Sequence, residues 1–435
     1  MTADHPAPAL AWTAVGSPSA VRNGTLYASD SDRVRAYRLG CRGLCQPTWS
    51  APGSFVEVEG GLVLVSTPHH RVAAYPTRCA AAVCPRLFVT PPLDPVAGEV
   101  DWETETSIDG ASVDKNRVYV AVTEMTGGSN HPGTGRGRVF AFLRDCRGLC
   151  RPIWRSRRLG GPPEISTAVG KAYVASLEGL KVYDARCEAK RAPCDPAWTG
   201  RIEKVDGSAN TITAAPIIHD DLVIMTMDRD VGGGDGGPVG TYLFRRQCRA
   251  KICGPLRFLD PRYTFPASPV VRGHRVFVSG IGGRKVIRAY RTSCGPARGA
   301  CRRVWSAWAR TDRWAPGTPP IDVIRREVFV PGRGSHLYVF PTRCVAPSFE
   351  VCTPRREEIE LLDVPAPSGV LRGPGRTLLV TSFRKQVVGF PTGCRGPCHP
   401  AWSWKASRDI YGLDVAGGLV LVGTEKRTYA LDPPA

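Results

Sequence analysis

The sequence predicts an all-β protein, a single closed ring of small four-stranded sheets, and three observations predict it. Its sixteen cysteines fall into eight close pairs: Cys41/Cys45, Cys79/Cys84, Cys146/Cys150, Cys187/Cys194, Cys248/Cys253, Cys294/Cys301, Cys344/Cys352 and Cys394/Cys398. An aromatic stands four residues before the first cysteine of every pair: Tyr37, Tyr75, Phe142, Tyr183, Phe244, Tyr290, Phe340 and Phe390. Upstream of each aromatic lies a short, mostly β-branched run, such as TLYAS, LVLVS, RVYVAV or KAYVAS. A registered repeat of roughly 40 to 65 residues has the length of a propeller blade or a solenoid unit. No stretch sustains a helical period. Four-stranded sheets arranged around an axis bury their faces against one another and leave only short edges, so the expected fold is a β-propeller.

Each repeat supplies four strands, labelled A to D. Strand A is a weak run such as ASPVV, strand B is of the RVYVAV type and strand C of the KVYDA type. Strand D follows the second cysteine, with Trp49, Phe88, Trp154, Trp198, Trp305 or Trp402 four residues on in six of eight copies, and Arg257 or Arg356 in the other two. Gly, Asn and Asp punctuate the turns, as at Gly60–Gly61 and Gly273–His274, where hairpins need backbone freedom. The aromatics are expected to pack between blades.

Residues 1–9 read as a disordered lead, and residues 10–435 as the propeller. Repeat two is compact, from Val56 to Val89, and is followed by a long acidic connection, TPPLDPVAGEVDWETETSIDGAS. Repeats three and five carry insertions between strands B and C, EMTGGSNHPGTGRGR and MDRDVGGGDGGPVG. The chain ends in VAGGLVLVGTEKRTYALDPP, which supplies strands A, B and C but no D, while LAWTAV near the start reads as a lone strand D. Pairing of the two termini would close the ring and remove both open edges. The expected count is eight blades, the more familiar number, while the literal repeat count is nine; the sequence does not decide between them.

The cysteine pairs bracket the C-to-D turn and are expected to be disulfides, each contributing about 2 kcal/mol on the loop-closure model. Zinc is the rival, since C-x₃-C resembles half a site, but four ligands from different blades could not converge. Disulfides persist in oxidising compartments, so an extracellular or cell-surface location is expected. The start MTADHPAPAL has neither a basic region nor an apolar run, so any export signal or anchor is expected outside this chain. No segment approaches 18 consecutive apolar residues, which excludes a membrane-spanning helix. The net charge is +19, from 58 Lys and Arg against 39 Asp and Glu. Such a field attracts acidic partners, yet the basic residues are spread along the chain and follow no nucleic-acid-binding module. A monomer that binds a protein or a small ligand, acidic ones included, is expected.

The segments KVYDA, RTYALD and IRAY, each leading to a turn and a Trp strand, resemble the repeat of the pyrroloquinoline-quinone-like β-propellers. The cysteine pair followed by C-x-P-x-W resembles a variant found in secreted actinobacterial proteins. The likeness covers nearly all of residues 10–433. It implies the fold and leaves activity open, because the superfamily holds both quinone-dependent dehydrogenases and non-catalytic scaffolds such as the barrel-assembly lipoprotein of outer membranes.

For a dehydrogenase the resemblance implies a calcium ion, a quinone, an Asp base and, in several members, a vicinal disulfide. No Cys-Cys dipeptide occurs here. Candidate calcium ligands are Glu103, Glu105 and Asp109 in the acidic connection and Asp228, Asp230 and Asp235 in the repeat-five insertion, since D-to-A and B-to-C loops emerge on one face and oxygen-rich loops can hold Ca²⁺. MDRDVGGGDGG lacks EF-hand spacing. SGIGGRK joins two strands and is expected to be a hairpin turn rather than a phosphate loop. His69–His70 is expected in an exposed B-to-C turn. There is no Gly-x-Ser-x-Gly and no Ser-His-Asp set. No cofactor is expected, and a non-catalytic extracellular scaffold that binds through its long-loop face is the favoured reading; a calcium- and quinone-dependent dehydrogenase is the alternative.

Overall fold

A computed structural model describes residues 7–434, apart from residues 31, 94–103, 127–135, 188–192, 203–209, 213, 230–239, 260–267, 282–284, 293–302, 310–320, 332–335, 345–351, 353–355, 361–366, 383–384 and 395–397. Among the described residues there is no helix, and the strands form nine small antiparallel sheets arranged as a nine-bladed propeller. Blade 1 shows the pattern: strand A is Ser17–Arg22, B is Thr25–Ser29, C is Arg33–Arg38 and D is Trp49–Pro52. Blades 2 to 8 repeat it in chain order. Blade 9 is the composite: Ile410–Ala416, Leu419–Thr424 and Arg427–Asp432 from the C-terminus, completed by Ala9–Val15 from the N-terminus. Leu10 pairs with Leu431 and Thr13 with Tyr429, so the terminal strands close the ring as expected. The closing strand begins at Ala9, one residue earlier than the sequence suggested.

The familiar eight gives way to the literal nine, and the packing shows why. Among the described residues there are nine separate apolar clusters, one in each gap between neighbouring blades. Trp12, Leu26, Tyr37 and Leu421 fill the gap between blades 9 and 1, and Leu379, Trp402, Val422 and Leu431 the gap between blades 8 and 9. Consecutive A strands touch on the inner side, including those of blades 8 and 9 and of blades 9 and 1. The composite sheet is therefore a full member of the ring. Burial of apolar area between blades is the main stabilising term, and the aromatics serve it. Trp154 on strand D of blade 3 lies between Tyr119 of its own blade and Tyr183 of blade 4, with ring centres 5.9 and 5.3 Å away. Trp49 sits likewise between Tyr27 and Tyr75, and Trp305 between Phe277 and Phe340. The indole N–H of Trp12 donates to the carbonyl of Leu39, and that of Trp305 to Thr342, each in the next blade.

Seven of the eight cysteine pairs are disulfides: Cys41–Cys45, Cys79–Cys84, Cys146–Cys150, Cys187–Cys194, Cys248–Cys253, Cys344–Cys352 and Cys394–Cys398. Their Cα atoms are 5.8 to 6.5 Å apart, inside the usual range. Cys294 and Cys301 lie outside the described residues. No free cysteine remains among the described residues, so the zinc alternative finds no thiolate there.

The clamps also act between blades. The clamped loop lies along the outer strand of the preceding blade: Gly43–Leu44 pairs in parallel with Trp12–Thr13, and Gly148–Leu149 with Phe88–Val89. The N–H of the second cysteine then donates to the strand D residue after the aromatic, Cys45 to Thr13, Cys84 to Ser50, Cys150 to Val89, Cys194 to Arg155 and Cys352 to Ser306, at 2.6 to 3.3 Å.

Cys253 departs from the uniform clamp that the repeat predicts. Cys253 is itself part of the added strand, Ile252–Cys253, which pairs in parallel with Thr199–Gly200 of blade 4. Its carbonyl accepts from the Arg201 N–H at 2.8 Å. It is only half-buried, whereas five other second cysteines are almost fully buried; its copy has Arg257 where most have an aromatic on strand D. Cys398 matches those five in burial. It is fully buried, packed with Phe390 and Val388 in the cluster between blades 7 and 8. Three of the loop residues before it lie outside the described residues.

Among the described residues these loops so cover edges that would otherwise offer unpaired backbone groups. Counting back four residues from Trp12, as from the Trp of other blades to the second cysteine, gives Pro8. Pro8 is buried like most of the cysteines it replaces, but proline has no N–H to donate. Among the described residues strand D of blade 8, Trp402–Lys405, accordingly pairs only with strand C of its own blade.

Several A-to-B turns are two-residue hairpins with positive φ, filled by Asn23–Gly24, Gly60–Gly61 and Gly417–Gly418. Blade 4 places Val169 there, at φ +50° and 78 % exposed. A β-branched residue in this region is strained by about 1–2 kcal/mol, and the exposed side chain recovers little by packing. Val169→Asn is therefore expected to raise unfolding stability by about 1 kcal/mol, measured by urea denaturation. Unchanged or lower stability would show that the turn relaxes around valine at no cost.

Candidate functional site

Strand A runs from the face bearing the long D-to-A and B-to-C connections toward the opposite face, where the A-to-B turns and disulfide loops lie. In blade 3, strands A (Thr104–Val113) and B (Arg117–Thr126) are each ten residues long. They are paired out to Thr104–Thr126, so this hairpin rises above the ring on the long-loop face. Beside it stands strand A of blade 4, Glu164–Ala168.

Asp109 occupies a bulge between Ile108 and Gly110, which turns it out of the strand's alternation. Its carboxylate accepts hydrogen bonds from the hydroxyls of Ser107 (2.7 Å) and Thr123. Glu164 opens strand A of the next blade at the same height. Burial pushes Glu164 up to about 7, with the Asp109 charge adding to it, and among the described residues no cation is one of the groups acting on it. Asp109 is also raised: one side of the residue is open to solvent, but the protein packed around the carboxyl outweighs the two hydroxyl donors. Burial and the neighbouring Asp109 charge favour the protonated form of Glu164 near neutrality, or a cationic partner for the pair.

Below this pair the inner strands are tied across three blades. Glu59 at the end of strand A in blade 2 accepts from the backbone N–H of Val113 (2.6 Å) and from the Ser112 hydroxyl (3.2 Å). Ser112 in turn lies 3.0 Å from the Thr167 hydroxyl of blade 4. The bracket fixes blades 2, 3 and 4 relative to one another, so Asp109 and Glu164 are held by rigid elements.

Of the six sequence candidates, Asp109 is the one whose side chain is described. Glu105 lies on strand A of blade 3 opposite Met125, and Asp228 on strand B of blade 5 opposite Thr211; these two backbone positions share the long-loop side but have blade 4 between them. Glu103, Asp230 and Asp235 lie outside the described residues. The structure instead joins Asp109 to Glu164, which the sequence reading missed. Glu164 is a single acid in GPPEIST, and only the repeat register, which sets it at the head of strand A beside the long hairpin, could have singled it out. Two carboxylates fall short of the roughly six to eight oxygens a calcium ion takes, and among the described residues no group of three His, Cys, Asp or Glu side chains could hold a metal. The described residues thus do not complete the calcium set implied by the dehydrogenase resemblance. SGIGGRK is a hairpin connection, with Ile281 paired to Lys285. His69 is exposed and His70 half-buried in a B-to-C turn with positive φ at both.

No family model matches the chain, and no curated protein matches it. Solved structures share the chain path. The computationally designed Ika8 protein is 8 % identical over 87 % of this chain and 94 % of that chain, at a TM-score of 0.48. BamB from Moraxella catarrhalis is 10 % identical over 87 % and 93 %, also at 0.48. Sqt1 from Saccharomyces cerevisiae is 8 % identical over 99 % and 97 %, at 0.49. At such identities the likeness concerns the fold alone. No helix among the described residues is long and apolar enough to cross a membrane.

Proposed function

We propose that this protein is a non-catalytic extracellular scaffold of the pyrroloquinoline-quinone-like repeat type, binding a protein or small ligand through its long-loop face. The observation that carries the reading is the Asp109–Glu164 pair. It is held on that face by rigid strands, no cation among the described residues acts on its Glu164, and it stands where loops of unequal length decorate a regular ring. Function on such a frame sits where variable connections meet fixed elements. The ligand group suited to the pair is cationic. The disulfides support an oxidising location, and the repeat pattern supports the family reading.

The competing reading is a calcium- and quinone-dependent dehydrogenase. Calorimetric titration of the oxidised protein with pyrroloquinoline quinone, with and without Ca²⁺, separates the two. The expected result is no heat of binding in either titration. Stoichiometric, calcium-dependent binding of the quinone would overturn the scaffold reading and turn attention to the acidic connections.

A further inference from the structure

The opposite face carries a second chemistry. The A-to-B turns of three successive blades each hold two arginines in or beside the turn: Arg272 and Arg275 in blade 6, Arg325 and Arg326 in blade 7, Arg372 and Arg376 in blade 8. The corresponding turns of blades 2 and 9 are Gly-Gly, and that of blade 5 contains Asp220 and Asp221. Charge that looks dispersed in the linear sequence is thus gathered by the repeat into one arc. Between blades 7 and 8, Arg325, Arg326, Arg372 and Arg376 line a groove of about 740 Å³. All four are exposed, and among the described residues none has an ion-pair partner. Glu327 is the one carboxylate among the groove's lining residues, so the balance there is strongly positive. At the boundary of blades 6 and 7, Arg275 is disfavoured as a cation first by burial and then by the charges of Arg343 and Arg291. Its Nη1 is buried without a hydrogen-bond partner among the described residues. Crowded like charges and a buried, unsatisfied guanidinium nitrogen are costly unless an anion relieves them.

We propose that this arc binds an extended acidic segment of a partner polypeptide, at a site separate from the long-loop face. Packed sheets lie about 10 Å apart, so successive arginine pairs are spaced by about three residues of extended chain at roughly 3.3 Å per residue. A segment with Asp or Glu at every third position, or an unbroken acidic run, meets all three pairs. The guanidinium fork suits carboxylates in this bidentate manner. Phosphate polymers share the charge, but a single-stranded nucleic acid also requires exposed aromatic platforms for its bases. The aromatic in the groove, Phe329, is 1 % exposed.

The test is fluorescence anisotropy with a labelled deca-glutamate peptide, against wild type and the fourfold variant Arg325→Asn, Arg326→Ser, Arg372→Ser, Arg376→Ser. Asparagine is chosen at 325 because the residue has φ +57°, which asparagine tolerates. The control is Arg147→Ser, an exposed arginine of the blade 3 disulfide loop. Circular dichroism and thermal melting confirm that both variants fold. The expected result is binding by wild type and control, and a loss of about tenfold or more in affinity for the fourfold variant, as suits removal of several charge-assisted contacts. Binding equal to wild type by the fourfold variant, or none by wild type, would overturn the proposal. So would tighter binding of an oligothymidylate of equal charge that the fourfold variant abolishes, since the arc would then serve nucleic acid. Glu164→Gln leaves this assay unchanged, which keeps it independent of the long-loop-face reading.

Discussion

Chemical reduction is expected to unfold the ring at temperatures where the oxidised protein is fully folded. Each disulfide closes a loop of only a few residues, spanning four to eight positions in sequence, and so contributes about 2 kcal/mol by restricting the unfolded chain. Seven such clamps together reach the whole net stability of a typical domain, about 5–15 kcal/mol. A second effect adds to the first. Cys45, Cys84, Cys150, Cys194 and Cys352 are almost fully buried within the clusters between blades, and their backbone N–H groups tie each loop to the blade before it. Cys398 is buried in the same way between blades 7 and 8, while Cys253 makes its tie to blade 4 as a strand partner. Loosening one clamp therefore loosens an interface and exposes an edge strand. Thermal denaturation with and without a phosphine reductant checks this, with thiol titration to confirm reduction. The expected change is a fall in Tm of more than about 20 °C, or loss of the cooperative transition, given that about 1 kcal/mol corresponds to a few degrees in a chain of this class. A shift of only a few degrees would mean that the interblade aromatics hold the ring unaided, and the argument for an oxidising compartment would lose its force.

The repeat made most of this legible before any coordinates. The aromatic-to-cysteine interval marks the end of strand C, and the cysteine-to-Trp interval marks strand D; both describe a local hairpin, so sequence spacing suffices to place them. The lone strand D at LAWTAV and the truncated final repeat likewise announced the closure now seen between Ala9–Val15 and Arg427–Asp432. Two things could not be read. Among the described residues the partner of a clamped loop lies in the preceding blade, roughly thirty to sixty residues away: Gly43–Leu44 against Trp12–Thr13 is a lateral contact that no interval in the sequence encodes. Charge grouping was hidden for the same reason. Arg275, Arg325 and Arg376 are about fifty residues apart in the chain but occupy neighbouring turns once blades stand side by side. The candidate site was half legible. Asp109 stood out in an acidic stretch, whereas Glu164 gains its meaning only from the bulge that turns Asp109 toward solvent and from the neighbouring strand that brings the two carboxyls together.

That carboxyl pair gives the second large effect, a fall in stability as pH rises from about 4.5 toward neutrality. Burial, reinforced by Asp109, raises Glu164 from 4.5 to about 7 in the folded protein. A carboxyl whose folded pKa lies above its unfolded value binds more protons in the native state across the interval between the two. Stability is then flat below about pH 4.5, declines between about 4.5 and 7, and is flat again above, with a total loss of up to about 3 kcal/mol. Asp109, raised in the same direction, extends the decline at its acidic end. Glu164→Gln keeps the shape and hydrogen-bonding capacity but cannot ionise. It is expected to match wild type near pH 4.5 and to be more stable at pH 8 by up to about 3 kcal/mol, with Asp109 now free of its charged neighbour. Urea denaturation of both proteins at several pH values between 4.5 and 8 measures the difference. Parallel curves for wild type and variant would show that Glu164 ionises as freely in the ring as in the unfolded chain. Divergence above pH 5, reversed when a cationic ligand is added to wild type, would tie the stored electrostatic cost to the binding surface, because the ion that costs stability in the free protein is the one a cation would neutralise.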